Sequence, residues 1–504
     1  MKLKSPISNG ALRLATLLLM VAAATTGATP QTYTPLHSFD GTDGGNPYAG
    51  LVQGTDGDLY STTVSYGISL NGTVFKITTS GTLTTLHMFC PQSGCLDGLY
   101  PYAGLVQGPD GNFYGSTESG GANFAGTIFK ITASGTLTTL YSFCSQSGCP
   151  DGYYLVAGLI QGTDGNFYGT TQFGGANGYG TVFKITPSGT LTTLYSFCSQ
   201  ANCTDGAEPY AQLVLATDGD FYGTTKVDGA NSGYGTSGTV FKITPSGTLT
   251  TLYSFCSQSH CADGALPSGQ LVEATDGNFY GTTEEGGANE AECSGYGCGT
   301  VFKITPSGTL TTLYSFCTQR SCLDGEFPEA GLVQATDGNL YGTTVGGGTS
   351  NCDVGCGTIF RITPSGTLTT LYSFCPQGSC RAGANPYAAL VQATDGNFYG
   401  TTFEGGLPDG GSGGYGTVFR LSVDLGSFVE TQAPSGRVGN SVKILGTDLT
   451  GATSVSFNGT AAVFTVMSSS FIKATVPEGA TSGFVTVTTP SGTLTSNKRF
   501  LIEP

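Results

Sequence analysis

The chain has 504 residues, of which only 10% are charged, with 80 glycines, no tryptophan and a formal net charge of −16. Binding to nucleic-acid phosphates requires clustered lysine and arginine, so 18 basic against 34 acidic side chains exclude that class of partner. The length permits a large core, while the acidity constrains solubility and partners rather than fold.

The N-terminus comes first. Lys2, Lys4 and Arg13 precede the apolar run Leu14 to Ala24, and small residues from Ala24 to Ala28 offer a cleavage site. Residues 1–28 are therefore expected to be an export signal. The run is short for a membrane span and no later segment supplies one, so the mature protein is expected outside the cytoplasm, whether periplasmic, surface-bound or secreted.

Tyr33-Thr-Pro-Leu-His-Ser-Phe39 follows, a β-type segment whose meaning depends on what comes after. From there to about residue 425 one unit recurs seven times, phased by Asp56, Asp110, Asp164, Asp218, Asp276, Asp337 and Asp395. A period of this length marks a repeat architecture. One copy predicts strands at Leu159–Gln161, Phe167–Thr171, Thr181–Thr186 and Leu191–Phe197, rich in Val, Ile, Thr, Tyr and Phe. Asp164-Gly165 and Ser188-Gly189 are tight turns between them. No helical period occurs inside the repeats. Four antiparallel strands repeated seven times predict an all-β, seven-bladed β-propeller over residues 32–425. The last copy stops after its third strand, Thr417-Val-Phe-Arg-Leu-Ser422, and Tyr33–Phe39 has the pattern of the missing fourth. The N-terminal segment is thus expected to complete the final blade and leave no open edge.

Length differences between copies fall in one place. From the glycine before the third strand (Gly72, Gly126, Gly180, Gly238, Gly299, Gly357) to the next marker Asp the spacing is constant, so the variation lies between strands two and three. In an up-and-down blade that loop and the cysteine loop emerge at the same end. Recognition belongs on loops held by a rigid scaffold, so this face is the expected working surface.

The sixteen cysteines group locally: Cys90/Cys95, Cys144/Cys149, Cys198/Cys203, Cys256/Cys261, Cys293/Cys298, Cys317/Cys322, Cys352/Cys356 and Cys375/Cys380. Behind an export signal these read as disulfides. Zinc would need two thiol pairs to converge, and the sequence reading places each pair in a different repeat. No metal or other cofactor is expected.

From about Val429 to residue 504 short alternating strands with Gly/Pro turns predict a small immunoglobulin-like β-sandwich, packed near the repeats because no long linker precedes it.

The unit Gly-Leu-Val-Gln-Gly-Thr-Asp-Gly-Asn-Phe-Tyr-Gly-Thr-Thr, followed by Gly-Gly and Gly-Thr-Val-Phe-Lys-Ile-Thr, resembles the bacterial GloVer tandem repeat, or choice-of-anchor, family across residues 33–423. The resemblance implies an exported repeat protein with no settled activity. No hydrophobic C-terminal helix with a basic tail follows here, a departure from the anchored pattern. Gly439, Val442, Ile444 and Gly446, Phe457-Asn-Gly459 and Val476-Pro477 are similar to IPT/TIG modules, which implies a spacer or interaction domain over 429–504.

Little else points to chemistry. His37 and His87 stand where other copies have Tyr195, Tyr253, Tyr314 and Tyr372, so they read as strand residues, and His260 lies in a cysteine loop. Asp-Gly-Asn triplets offer too few oxygens for calcium and read as turns. Tyr60 and its six equivalents read as core between sheets. Gly-Gly-Ala-Asn (174–177, 286–289) lacks the lysine and helix of a phosphate loop. Carboxylates remain: Glu284, Glu285, Glu290 and Glu292 in the longest variable loop, and Glu404 and Asp409 in the last. These are the candidate ligand-face residues. The expected function is non-enzymatic recognition of a glycan or protein, with a glycoside hydrolase or lyase using these carboxylates, or a structural envelope component, as alternatives.

Overall fold

The computed structural model describes residues 31–503, except 68, 92, 232–236, 290–292, 294, 350–355, 377–379 and 407–413. The expected export signal, Glu290, Glu292, Asp409 and Cys352 lie outside the described residues. Among those described there is no α-helix, and no helix is long and apolar enough to cross a membrane.

Strands form where the repeat alternates β-branched and aromatic residues, and they end where Gly supplies a turn. In one copy they are Ile160–Gln161, Phe167–Thr171, Thr181–Ile185 and Leu191–Ser196, paired antiparallel in that order. The Asp turn is fixed by side chains as well as backbone. The Asn166 backbone N–H and side-chain amide donate to the Asp164 carboxylate (3.1 and 2.7 Å), and so does the buried Tyr168 hydroxyl (2.9 Å). One residue type thus stitches turn to core. The glycine before the third strand is equally constrained. Gly180 has φ +99°, and a Cβ there would lie 2.5 Å from the Thr171 carbonyl oxygen, so no other residue fits.

Seven such four-stranded sheets occur among the described residues. The second strand of each is fully buried, the third nearly so, and the fourth half-exposed, so each sheet is covered on both faces except along its outer strand. Consecutive sheets interlock through aromatics. Tyr60 stacks on Phe113 at 3.9 Å between ring centres, while Tyr114 on Phe167 and Tyr168 on Phe221, both at 4.1 Å, are tilted by about 30°.

The last sheet is assembled from both ends of the repeat region. Thr32–Ser38 pairs antiparallel with Thr417–Ser422, from Thr32 opposite Ser422 to Ser38 opposite Thr417. The same sheet packs against the first: Tyr399, Val418 and Ala393 share a buried cluster with Leu51, Leu59 and Phe75. Phe39, fully buried, meets Phe75 edge-on at 5.3 Å, as Phe89 meets Phe129. The contact between last and first sheets therefore has the same form as that between neighbours in sequence. This is an all-β, propeller-like arrangement.

Beyond residue 428 two further sheets share a core of Val442, Ile444, Val455, Phe457, Ile472, Val485 and Phe500. These residues touch the repeats at the Asp-turn end. Ser470 donates to the Thr55 carbonyl (2.9 Å), the Thr394 and Thr447 hydroxyls are 3.0 Å apart, and Gln432 donates to Gln107. A cleft between the two parts, lined by Thr275, Thr336, Phe428, Phe484 and Thr495, carries no charged side chain. Each of these contacts lies away from the variable-loop end.

Candidate functional site

Immediately before six of the seven first strands the chain passes through a Pro-x-Ala or similar step: Pro47-Tyr48-Ala49, Pro101-Tyr102-Ala103, Pro209-Tyr210-Ala211, Pro267-Ser268-Gly269, Pro328-Glu329-Ala330 and Pro386-Tyr387-Ala388; the third copy has Leu155-Val156-Ala157. The flanking residues scarcely change between copies while the middle one does. A second position behaves alike, the residue directly after the second strand: Val64, Glu118, Gln172, Lys226, Glu284, Val345 and Phe403. Each copy bridges the two segments by backbone pairing, as in Ala265 with Glu285 and Ala384 with Glu404. Both varying positions therefore lie at the variable-loop end.

There, side chains from distant repeats meet. The Tyr48 and Tyr210 hydroxyls are 3.0 Å apart although 162 positions separate them. Tyr48 also donates to Glu329 Oε2 (3.4 Å), 281 positions away. Its ring stacks on Tyr387 at 4.9 Å and meets Tyr102 edge-on at 5.3 Å. Only convergence of the repeats on one axis brings these residues together. Lys226 pairs with Glu284 (2.9 Å) and lies 4.9 Å from the Tyr210 ring centre, while buried Ser268 donates to Glu284 (3.0 Å). Gln172 donates to Glu208 nearby in the chain (3.1 Å).

The electrostatics follow from half-burial. Glu329 is held up at about 7 by burial first and then by the Glu284 carboxylate. Burial, then Glu329, pushes the Tyr387 hydroxyl to about 12. Burial opposes the charge on Lys226, but Glu284 outweighs it and the ammonium is held above its ordinary range. Burial raises Glu118 too, with a Tyr154 hydrogen bond acting against it. The cluster offers aromatic faces, hydroxyl donors, the Lys226 ammonium and, in Glu329, a carboxyl group poised near neutral pH. That set suits a neutral, hydroxyl-rich ligand.

Of the carboxylates singled out from sequence, Glu284 belongs to this axial cluster. Its neighbour Glu285 joins the Ala265 bridge instead, its carboxyl raised by burial and then by Glu284. Glu404, likewise bridged, is raised by burial. Tyr48, Tyr102, Tyr210, Glu329 and Tyr387 were missed. The signal that finds them is a variable residue inside an otherwise repeated step.

The histidines hold loops. His37 bonds Asp43 (2.7 Å) and His87 bonds Asp97 (2.9 Å), in the way the Tyr195 hydroxyl donates to Asp205 (2.7 Å) in another copy.

Seven of the expected pairs are disulfides: Cys90–Cys95, Cys144–Cys149, Cys198–Cys203, Cys256–Cys261, Cys293–Cys298, Cys317–Cys322 and Cys375–Cys380. The premise that no two pairs converge does not hold. Cys293 Sγ lies 3.7 Å from Cys317 Sγ, and Cys356 Sγ lies 3.7 Å from Cys380 Sγ. Both loops of a repeat emerge at one end, so pairs about twenty residues apart in sequence face each other.

A fungal alcohol oxidase of the AA5 family, in complex with copper, is similar at 13% identity over 94% of this chain and 100% of that one, with a TM-score of 0.51. Extracellular domains of two proteins described as hybrid two component systems, both from B. thetaiotaomicron, are similar at 11% and 10% identity with TM-scores of 0.48 and 0.49. The matches cover 94% of this chain in both cases but only 59% and 58% of those two. Such identities speak to fold alone. No curated protein matches the chain. A model described as the Gloeobacter/Verrucomicrobia repeat matches residues 22–162, 145–352 and 291–467. With most of its length matched in this way, the chain belongs to the Gloeobacter/Verrucomicrobia repeat family.

Proposed function

We propose that this is an exported, non-enzymatic binding protein that recognises a glycan at the variable-loop end. In this reading residues 32–425 are a seven-bladed propeller closed by the N-terminal strand, and residues 429–504 an immunoglobulin-like module of the IPT/TIG kind that occupies the opposite end. The disulfides support export, since such bonds persist in oxidising compartments. One observation carries the binding assignment. Tyr48, Tyr102, Tyr210 and Tyr387 gather half-buried with Lys226, Glu284 and Glu329 at the variable-loop end, away from the contacts that the C-terminal residues make with the repeats. Tyrosine rings present flat apolar area to sugar C–H faces, while the polar groups fix hydroxyls.

A glycan array probed with the full chain tests this. Hits are expected to weaken at least about tenfold in Tyr102→Ala and Lys226→Ala, since a buried contact is worth more than about 1.4 kcal/mol. Hits indifferent to both changes overturn the assignment. One further observation favours a second reading, glycoside hydrolysis: Glu329 titrates near 7 beside a second carboxylate, as a general acid requires. Turnover of a polysaccharide that Glu329→Gln abolishes selects that reading over simple binding.

A further inference from the structure

Two loops of the fifth repeat bring four buried cysteines together. Cys293 and Cys298 come from the loop between strands Phe279–Thr283 and Thr300–Ile304, and Cys317 and Cys322 from the loop after strand Leu310–Ser315. All four are 6% exposed or less. Their sulfurs and a Glu326 carboxylate oxygen lie within 4.8 Å of one another. The 3.7 Å between Cys293 Sγ and Cys317 Sγ, one from each pair, is close to the edge of a tetrahedron of thiolates about 2.3 Å from a zinc ion, which is about 3.8 Å. Glu326 Oε2 lies 3.3 Å from Cys293 Sγ and 3.8 Å from Cys317 Sγ. A sulfur in a disulfide has no proton to give a carboxylate, whereas a thiol does and a metal ion accepts either ligand.

The sixth repeat has a related grouping of three cysteines among the described residues. Cys356, Cys375 and Cys380 are buried together, again with 3.7 Å between sulfurs of different loops. The pairs Cys90/Cys95, Cys144/Cys149, Cys198/Cys203 and Cys256/Cys261 belong to no such group among the described residues. They serve as controls within the chain, because a single pair supplies two ligands and a structural zinc site takes four.

We propose that Cys293, Cys298, Cys317 and Cys322 form a redox-gated site for a soft divalent cation, zinc in the first instance. In the oxidised chain they are two disulfides. Two equivalents of a small dithiol reduce these to four thiols and are themselves oxidised to two cyclic disulfides. Binding one Zn²⁺ then forms four Zn–S bonds and releases four protons. Reduction, which would otherwise free both loops, is answered by a metal cross-link at the same position. The loops concerned flank the variable face, so the site sets their positions in both redox states.

The test uses the full chain, reduced with dithiothreitol, freed of it, supplied with zinc chloride and desalted. Bound zinc is measured by elemental analysis and the site by the absorption spectrum after cobalt substitution. The paired variant Cys293→Ser/Cys298→Ser is expected to retain one zinc fewer than the unaltered chain and to lose thiolate-to-cobalt absorption in proportion. The variant Cys144→Ser/Cys149→Ser is expected to retain as much as the unaltered chain. Cys317→Ser/Cys322→Ser, which removes the other half of the same site, is expected to match the first variant. The proposal is overturned if the unaltered chain retains no zinc. It is equally overturned if all variants lose zinc alike, the behaviour of an unfolded chain that collects metal through any thiols.

Discussion

Removing residues 32–39 is expected to abolish cooperative folding of the repeat region. The segment supplies the whole fourth strand of the last sheet, with Thr32 to Ser38 laddered onto Ser422 to Thr417. It also contributes Tyr33, stacked on Tyr372 at 3.9 Å, and the fully buried Phe39. Truncating one buried phenylalanine costs about 3–5 kcal/mol. A domain's whole stability is about 5–15 kcal/mol, so loss of the strand with both rings consumes most of it. The exposed edge of Thr417–Ser422 then offers itself to other chains, and the truncated protein is expected largely as aggregate. A milder variant separates strand loss from misfolding. Phe39→Ala in the full chain is expected to lower stability by about 3–5 kcal/mol in urea unfolding. An unfolding midpoint unchanged in both would show that the segment closes nothing.

The second large effect concerns pH. Burial and the Glu284 carboxylate raise Glu329 from an ordinary 4.5 to about 7, so the folded chain holds this proton more tightly than the unfolded one. The stabilisation is complete below pH 4.5 and is lost as pH rises through 7. The loss across that interval amounts to about 3 kcal/mol. Glutamine keeps the shape and has no proton to lose. In Glu329→Gln the stability lost between pH 4 and 9 is therefore expected to shrink by about 2–3 kcal/mol relative to the unaltered chain. Glu285 and Glu404 are also raised by burial, and Asp276 is lowered to about 2, where burial is outweighed by the hydrogen bonds of Lys303, Asn278 and Tyr280 taken together. These groups are common to both proteins and cancel in the difference. Urea midpoints across that range measure it, and a difference that stays constant with pH would show that Glu329 is an ordinary surface carboxylate.

Much of this was legible in the residues because the repeat was written seven times. The expected strands differ from those observed by a residue or less, as in Thr181–Thr186 against Thr181–Ile185. The closing role of Tyr33–Phe39 could be read from a missing fourth strand at the other end. What repetition conceals is what differs. Tyr48 and Glu329 occupy equivalent places in the repeat, yet one is an aromatic donor and the other a half-buried acid, and their contact spans 281 positions. No local pattern reports a contact across an axis. Charge drew attention to Glu284 and Glu285 together, but backbone alternation sends adjacent side chains different ways: one reaches Lys226 and the other borders the Ala265 bridge. The cysteine convergence was within reach, since both loops of a blade share an end.

The axial cluster exists only if the last sheet is completed from the N-terminus, and native-state hydrogen exchange reads that directly. Amides of residues 32–38 are expected to exchange as slowly as those of 417–422, with both groups opening together on approach to global unfolding. Exchange of 32–38 at the rate of a free peptide, beside protected 417–422, would contradict the closure and with it the meeting of Tyr48, Tyr210 and Glu329.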